Sequence, residues 1–340
     1  MEGFFMGKIL ILLVWIFSPM VWGLGVMSYN VENFFDAAKS EKADDSTYLP
    51  LKSPYKKECK KIRKSYYRKY CEKLDWTQEK VDLKLKQHLK VLSSFPKKLH
   101  LLSLIEIENE TLVKAFAKNL PLKGYVITTG SDKRGINTAL LFDKDLFKFV
   151  DHKEWSLSFK TRNLLEVHLE TKDKKPFVVF VNHWPSQRSK TPKRLEAANL
   201  LKKRMKEILK KKPQTMIVSL GDFNTLDNEF PHPFDGIKED LKDSSVGSKE
   251  GGSYFYKPAM SWNLLDRIFY SSNLLLKKFE VYRPAFTQTV TEYTKKGPFW
   301  GSRITGIPKG FDHKKKSKPG YSDHFPVYAD FDLKVTVNDK

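Results

Sequence analysis

A single α/β domain with packed sheets is the fold class this sequence predicts, and three observations predict it. Strand-like runs outnumber helical ones, both kinds occur in each half of the chain, and neither a short repeat nor a linker divides it. About 315 residues follow Gly25, a length that suits one large domain or two small ones.

The elements follow in order. Ile9 to Phe17 is uninterrupted apolar, with Lys8 before it and Ser18-Pro19 after it, and Gly23 offers a small residue for cleavage. The run is too short to span a bilayer comfortably and fits a signal peptide over residues 1–23, with an uncleaved N-terminal anchor as the alternative. The expectation is an exported chain, periplasmic or secreted, with residues 24–340 as one catalytic domain and no membrane span after cleavage.

Val26 to Tyr29 opens the fold as a strand. Asp36 to Asp75 then lacks apolar periodicity and reads as a basic insertion at about 37–75, holding Cys59 and Cys71. Two thiols with no histidine between them cannot make a four-ligand zinc site. In an exported protein a Cys59–Cys71 disulfide is the natural reading, against two unpaired surface thiols. Tyr55, Tyr66, Tyr67 and Tyr70 among the lysines either stack on bases or pack the loop onto its own domain.

Val81, Leu85, Leu89 and Leu92 form a helical stripe. His100–Ile107 is a buried-strand run with Glu106 near its end, and a helix follows over Leu112–Leu120. Tyr125–Thr129, Asn137–Phe142, Phe147–Leu157, Leu164–Glu170 and Phe177–Val181 read as strands. Pro192 starts a helix, and Met216–Leu220 is a buried strand ending in Gly221-Asp222-Phe223-Asn224. A Pro/Gly-broken loop covers roughly Phe230–Gly252, strands resume near Leu264–Tyr270, and Phe325–Leu333 is the last.

Polar residues fall at the strand ends: Asn30, Glu106, His183, Asp222, Asn224, Asp266, and Asp323-His324 before the final strand. A strand-end Asn or Asp has a local excuse as a turn cap, and a lone His is ordinarily a satisfied core residue. Oxygen and imidazole groups at so many strand ends are costly to bury unless they converge on one site or cation.

The formal net charge of +21 attracts polyanions such as nucleic acid, anionic lipid or polysaccharide. Lys/Arg thicken at Lys56–Arg68, Lys202–Lys212 and Lys314–Lys318.

The set Ser28–Phe34 (SYNVENF), Ile105–Asn109 (IEIEN), Gly135–Leu141 (GINTALL), Val181–Trp184 (VNHW), Gly221–Asn224 (GDFN), Asp266–Ile268 (DRI) and Ser322–Val327 (SDHFPV) resembles the endonuclease/exonuclease/phosphatase superfamily, of which DNase I is a member. The resemblance runs from about Val26 to Asp332. It implies a four-layered α/β sandwich, two mainly antiparallel sheets face to face with helices outside, and phosphoester hydrolysis with Mg²⁺ or Mn²⁺. A structural Ca²⁺ stays open.

Residue by residue, it implies Glu106 as the principal metal carboxylate, with Asn30 and Asp323 in the metal and phosphate site. Asp222 and Asn224 would orient water and hold a phosphate oxygen. His324 would be an imidazole fixed by Asp266, and His183 a second imidazole across the phosphorus. Asp266 as a partner of Arg267 or a turn cap is the alternative. Arg162 and Arg188 would clamp phosphate oxygens, against a reading as partnerless surface arginines. Asn137 reads as structural support. No carboxylate matches as a holder of His183, Glu108 and Glu110 being only possible ones.

Charge, the basic insertion and export favour nucleic acid as substrate, DNA over RNA, cut by a monomeric endonuclease of low sequence specificity. A phospholipid phosphodiesterase or phosphatase is the alternative, with Phe299-Trp300 as its membrane-facing candidate. A catalytically inactive polyanion-binding protein is the second.

Overall fold

The computed structural model describes residues 23–130, 132–294, 297–315 and 319–333. Ile9–Phe17 and most of the expected leader lie outside the described residues, and Gly23 is already the first residue of a strand. Among the described residues no helix is long and apolar enough to cross a membrane.

In chain order the strands begin with β1 (Gly23–Phe34), β2 (Leu101–Ile107), β3 (Gly124–Ile127), β4 (Asn137–Phe142) and β5 (Phe147–Trp155). They continue with β6 (Leu164–Thr171), β7 (Pro176–His183), β8 (Met216–Asp222), β9 (Lys242–Asp243), β10 (Tyr254–Tyr256) and β11 (Ser261–Asn263). The last are β12 (Asp266–Tyr270), β13 (Leu274–Val281), β14 (Glu292–Tyr293), β15 (Arg303–Ile304) and β16 (Val327–Leu333). The helices are α1 (Ser65–Lys73), α2 (Gln78–Ser93), α3 (Glu110–Asn119), α4 (Thr191–Lys211) and α5 (Asp235–Lys238).

Two six-stranded sheets carry the fold, ordered β13-β16-β1-β2-β4-β3 and β5-β6-β7-β8-β12-β9. Within each, one central pair is parallel, β1–β2 and β7–β8, and the rest are antiparallel. The sheets meet over a core that includes Leu24, Val26, Val179, Val218, Ile268 and Phe331. Helices α2 and α3 cover the outer face of the first sheet, and α4 with α5 that of the second. This is the expected four-layered DNase I-like sandwich.

Strand alternation does the positioning. On β1, Leu24 and Val26 face the other sheet while Met27, Tyr29 and Val31 face the helices, so Asn30 continues the inward row. On β7 the inward row Phe177, Val179, Val181 leads to His183. On β8 Met216, Val218, Leu220 lead to Asp222, and on β12 Asp266 precedes Ile268 and Tyr270. His183 is paired with Asp222, and Asp222 with Asp266, in strand register. The hydrophobic inner face thus changes to ionisable groups at one end.

Glu106 breaks this phase. Alternation would turn it outward beside Leu102 and Leu104, but its backbone is left-handed (φ 67°) and the register of β2 slips between Ile105 and Ile107. The bulge shifts the phase, turning Glu106 inward and sending Ile107, which alternation would place beside Ile105, out toward the helices. Gly221 is needed for a different reason: at φ 140° a Cβ would lie 2.0 Å from the Asn182 carbonyl oxygen.

Several elements differ from those the sequence pattern predicts. The insertion contains helix α1, and the loop Phe230–Gly252 contains α5 and β9. Strand β13 has no counterpart among the expected strands. Its register slips between Leu276 and Lys278, so its side chains do not alternate cleanly along the chain. In the insertion Cys59 and Cys71 form a disulfide, both buried. Tyr48 stacks on Phe35 at 4.0 Å, and the Trp76 indole N–H donates to the Phe35 carbonyl, which fixes the base of the insertion to β1.

Thiol titration of the denatured, unreduced protein is expected to find no free thiol; finding two would refute the bridge. Gly221→Ala is expected to destabilise the fold by about 3 kcal/mol or more, read by denaturant melting, since backbone rather than a flexible side chain blocks the new methyl.

Candidate active site

His324 Nδ1 lies 2.7 Å from Asp266 Oδ2, and Ser253 Oγ donates to the same oxygen at 2.6 Å. Asp266 is fully buried and His324 nearly so. Arg267 turns away to Asp243 at 2.9 Å, so the Asp266 carboxylate serves His324 rather than its sequence neighbour. Burial opposes a charge on His324, but the Asp266 carboxylate outweighs it and holds the imidazole well above the usual histidine range. The ring is an imidazolium at neutral pH, with Nδ1 as the donor to Asp266 and Nε2 free to donate elsewhere.

Asn30 Nδ2 donates to Asp222 Oδ2 at 3.2 Å, a bond between the two sheets. The Asn224 backbone N–H donates to Asp222 Oδ1 at 2.9 Å, and Asn224 Nδ2 donates to the Trp184 carbonyl at 3.1 Å. Burial, with repulsion from Asp266, pushes the Asp222 carboxyl up to about 7. His183 Nε2 stands 3.6 Å from Glu106 Oε1 and 3.9 Å from Asp222 Oδ2. Burial, together with the positive charge of Arg162, drives its pKa well below the usual range, so this ring is neutral. Glu108 and Glu110 do not hold His183. Glu108 accepts from the Asp36 N–H, and Glu110 pairs with Lys114 on the surface.

Two residues to which the sequence pattern gives no role complete the cluster, Glu32 and Lys84. Glu32 and its neighbour Asn33 both have left-handed backbones (φ 52° and 48°), and the Asn33 N–H donates to Glu106 Oε2 at 2.8 Å. Lys84, buried on α2, donates to the carbonyl oxygens of Glu32 and Asn33. It holds the turn that orients the Glu106 carboxylate. A lysine on α2 and two left-handed residues on β1 are invisible as a unit until the helix is docked. Burial, then repulsion from Asp323, raises Glu32 to about 8. Burial also raises Asp323, with His324 opposing and Glu106 adding to the shift.

The two arginines expected as clamps occupy different places. Arg162 is largely buried, donates to the Trp184 carbonyl at 2.5 Å and lies 3.7 Å from Asp132. It forms part of the wall beside His183 and is not a surface arginine. Arg188 is on the loop after β7, bonds to the Tyr67 hydroxyl and sits 5.7 Å from that ring's centre. Its loop is fixed from beneath by Arg194, which pairs with Glu229 at 2.8 Å and donates to the carbonyls of Ser186 and Ser189. Asn137 is structural: Nδ2 donates to the Glu108 carbonyl at 2.6 Å, and Oδ1 accepts from Thr128 Oγ1 at 2.9 Å.

A hard divalent cation fits these donors. Asp222, Asp266 and His324 each offer a ligand atom within 4.8 Å of the others. Asp266 Oδ2, however, already accepts from His324 and Ser253, and a protonated Nδ1 cannot coordinate. Glu106 and Asp323 are the carboxyls left to a metal, and the Asn30 amide oxygen, which accepts from the Glu32 N–H at 3.0 Å, keeps one lone pair for it. The carboxyls raised by burial and mutual repulsion mark an excess of negative charge that a cation would relieve. All-oxygen donors suit Mg²⁺ or Mn²⁺ over soft metals.

Fold and site together define the class of a phosphoester hydrolase on a DNase I-like sandwich. The chain belongs to the endonuclease/exonuclease/phosphatase family, whose model matches residues 25–333. Its structure is similar to an endonuclease/exonuclease/phosphatase family protein of Bacteroides thetaiotaomicron, at 17% identity and TM-score 0.55, covering 93% of this chain and 99% of that one. It is also similar to the mannosyl-6-phosphatase of B. thetaiotaomicron VPI-5482, at 18% identity and TM-score 0.55, covering 91% and 99%. A third is D. rerio TDP2 complexed with single-strand DNA product, at 15% identity and TM-score 0.53, covering 91% and 98%. At these identities the structures speak for the fold alone. The comparison with curated proteins gives no match.

Asp266→Asn is expected to leave the fold standing and to cut turnover per folded molecule by orders of magnitude. The sign of its pH effect follows from the pair. Asp266 keeps His324 charged above the usual histidine range, so its loss should move the alkaline limb of the activity profile to lower pH. Wild-type turnover with an unmoved limb would remove the pair from the mechanism.

Proposed function

We propose that this chain is an exported, divalent-metal-dependent phosphodiesterase that cleaves nucleic acid internally, DNA in preference to RNA, with low sequence specificity, and that it acts as a monomer. One observation carries the substrate class. Arg188, on the loop that leaves His183, meets Tyr67 of the basic insertion, so cationic and aromatic groups join at the rim of the phosphoesterase site. The net charge of +21 adds long-range attraction for a polyanion. The Cys59–Cys71 disulfide supports export, because such bonds persist in oxidising compartments.

The chemistry follows from the side chains. Asp222, with a pKa near 7, orients the attacking water and accepts its proton, and the Asn224 N–H fixes the carboxylate for that task. The His324 imidazolium donates to a phosphate oxygen and stabilises the charge that develops there. Neutral His183 donates from Nε2 into the same space. Glu106, Asp323 and Asn30 would hold the Mg²⁺ or Mn²⁺, which when bound neutralises phosphate charge. Arg188 positions an adjacent phosphate.

A second reading has one observation in its favour. Trp300, in the hairpin that β14 and β15 close, is 71% exposed, and Val290 just before β14 is 89% exposed, a surface suited to an acyl-chain boundary. An inactive polyanion binder would have no use for the buried His324–Asp266 pair.

Supercoiled DNA, RNA, sphingomyelin and inositol phosphates, each offered with Mg²⁺ and with chelator, separate these. The expected result is nicked plasmid in Mg²⁺, abolished by chelator. Hydrolysis confined to sphingomyelin would establish the lipid reading. Salt-sensitive DNA binding with no turnover on any substrate would establish the binder.

A further inference from the structure

The insertion carries a feature that neither the fold nor the hydrolytic chemistry uses. Tyr66, Tyr67 and Tyr70 lie on α1, with Tyr70 four residues after Tyr66 and three after Tyr67, so they share one side of the helix. Tyr66 is 75% exposed, and among the described rings it touches only Tyr67, edge-on at 5.4 Å. Tyr67 meets Arg188, and Tyr70 meets His313 at 6.0 Å. From Arg188 the row reaches the site, because the neighbouring Gln187 donates to the Asn224 carbonyl, and Tyr254 packs on the His324 ring at 4.9 Å.

The helix is held rigidly. Cys71 near its C-terminal end is bonded to Cys59, and the Lys56 ammonium donates to the carbonyls of Thr47 and Cys71. Lys57, Lys60, Lys61, Arg63, Lys64 and Lys69 are exposed around it. Two acids lie among them, Glu58, which accepts from Ser46 Oγ, and the exposed Glu72 near the far end of α1. A fixed aromatic face surrounded by cations matches a strand that offers base faces and phosphates together. In a duplex the base faces are closed by stacking, so only unpaired bases can lie on these rings.

We propose that α1 and Arg188 form a stacking platform for an unpaired stretch of DNA leading away from the scissile phosphate. Tyr66 and Tyr67 take successive bases, and Arg188 takes the phosphate between the platform and the site. The proposal rests on the nucleic-acid reading and narrows its substrate to single-stranded or locally opened DNA.

The test measures the affinity of the full chain, in chelator, for a labelled single strand of about 12 nucleotides, within the site sizes of such platforms, and for the blunt duplex of the same sequence. Plasmid nicking in Mg²⁺ is run in parallel. The single strand is expected to bind more tightly. Tyr66→Ala should weaken its binding about tenfold, and Tyr66→Phe, which keeps the ring, should stay within about twofold of wild type. Because Tyr66 is exposed, Tyr66→Ala should melt as wild type does. Single-strand affinity unchanged in Tyr66→Ala, or equal wild-type affinity for duplex, would overturn the platform while nicking left the nuclease reading standing. Absence of any DNA hydrolysis by the wild type would remove the nuclease reading and the platform with it.

Discussion

The constraint on which this structure depends is the gathering of carboxylates at one end of two apolar sheet faces. Glu32, Glu106, Asp222, Asp266 and Asp323 converge there, and taking even one such charge out of water costs several kcal/mol. The fold offsets the cost piece by piece. Asp266 has His324 and Ser253, Glu106 has the Asn33 N–H, and Asp222 has Asn30 and the Asn224 N–H. Lys84, whose own pKa burial lowers, stands near Glu32 and Asp323 and opposes the rise of both. What is left over appears as raised carboxyl pKa values, which is the electrostatic condition that favours cation binding.

The same inner face explains how much of the fold and of the site is legible in the sequence. Period-two alternation places Asn30, His183, Asp222 and Asp266 on the continuing inward rows of four strands, so their shared face follows from pattern, while strand order and register bring them together. Glu106 is different. Its side chain reaches the cluster only because a bulge reverses it, and nothing in Ile105-Glu106-Ile107 announces a left-handed backbone at a non-glycine residue. Lys84 and Arg194 are also out of reach of pattern, because each acts on a segment 52 or 35 residues away once its helix is docked. Strand β13 is hidden by its bulge, and α1 by a sequence of Tyr, Lys and Arg without an apolar stripe.

Packing beneath the rim decides what the site can present. Arg194 is fully buried against the half-buried Glu229, and its guanidinium also serves the carbonyls of the loop that carries Arg188. Removing Glu229 would leave the Arg194 guanidinium buried without its carboxylate, at about 3–5 kcal/mol. That bracket and the disulfide-held insertion reach Arg188 by separate routes, one through the loop backbone and one through Tyr67. The rim therefore owes its shape to two separate anchors, each local in cost, and the sandwich core need not change for the rim to be rebuilt. This division suits a family in which one core supports different substrates.

The two imidazoles show why residue type alone could not assign their roles. His183 and His324 are both buried and both border the same space. Burial penalises the charged form of each, but one faces a carboxylate at hydrogen-bonding distance and the other is influenced chiefly by Arg162 and Arg134. The first is held charged and the second neutral. With His324 held charged, Asp222 is the carboxyl beside both imidazoles whose pKa lies close to neutrality. The division of labour is thus set by what stands behind each ring, and a second carboxylate behind His183 would erase it.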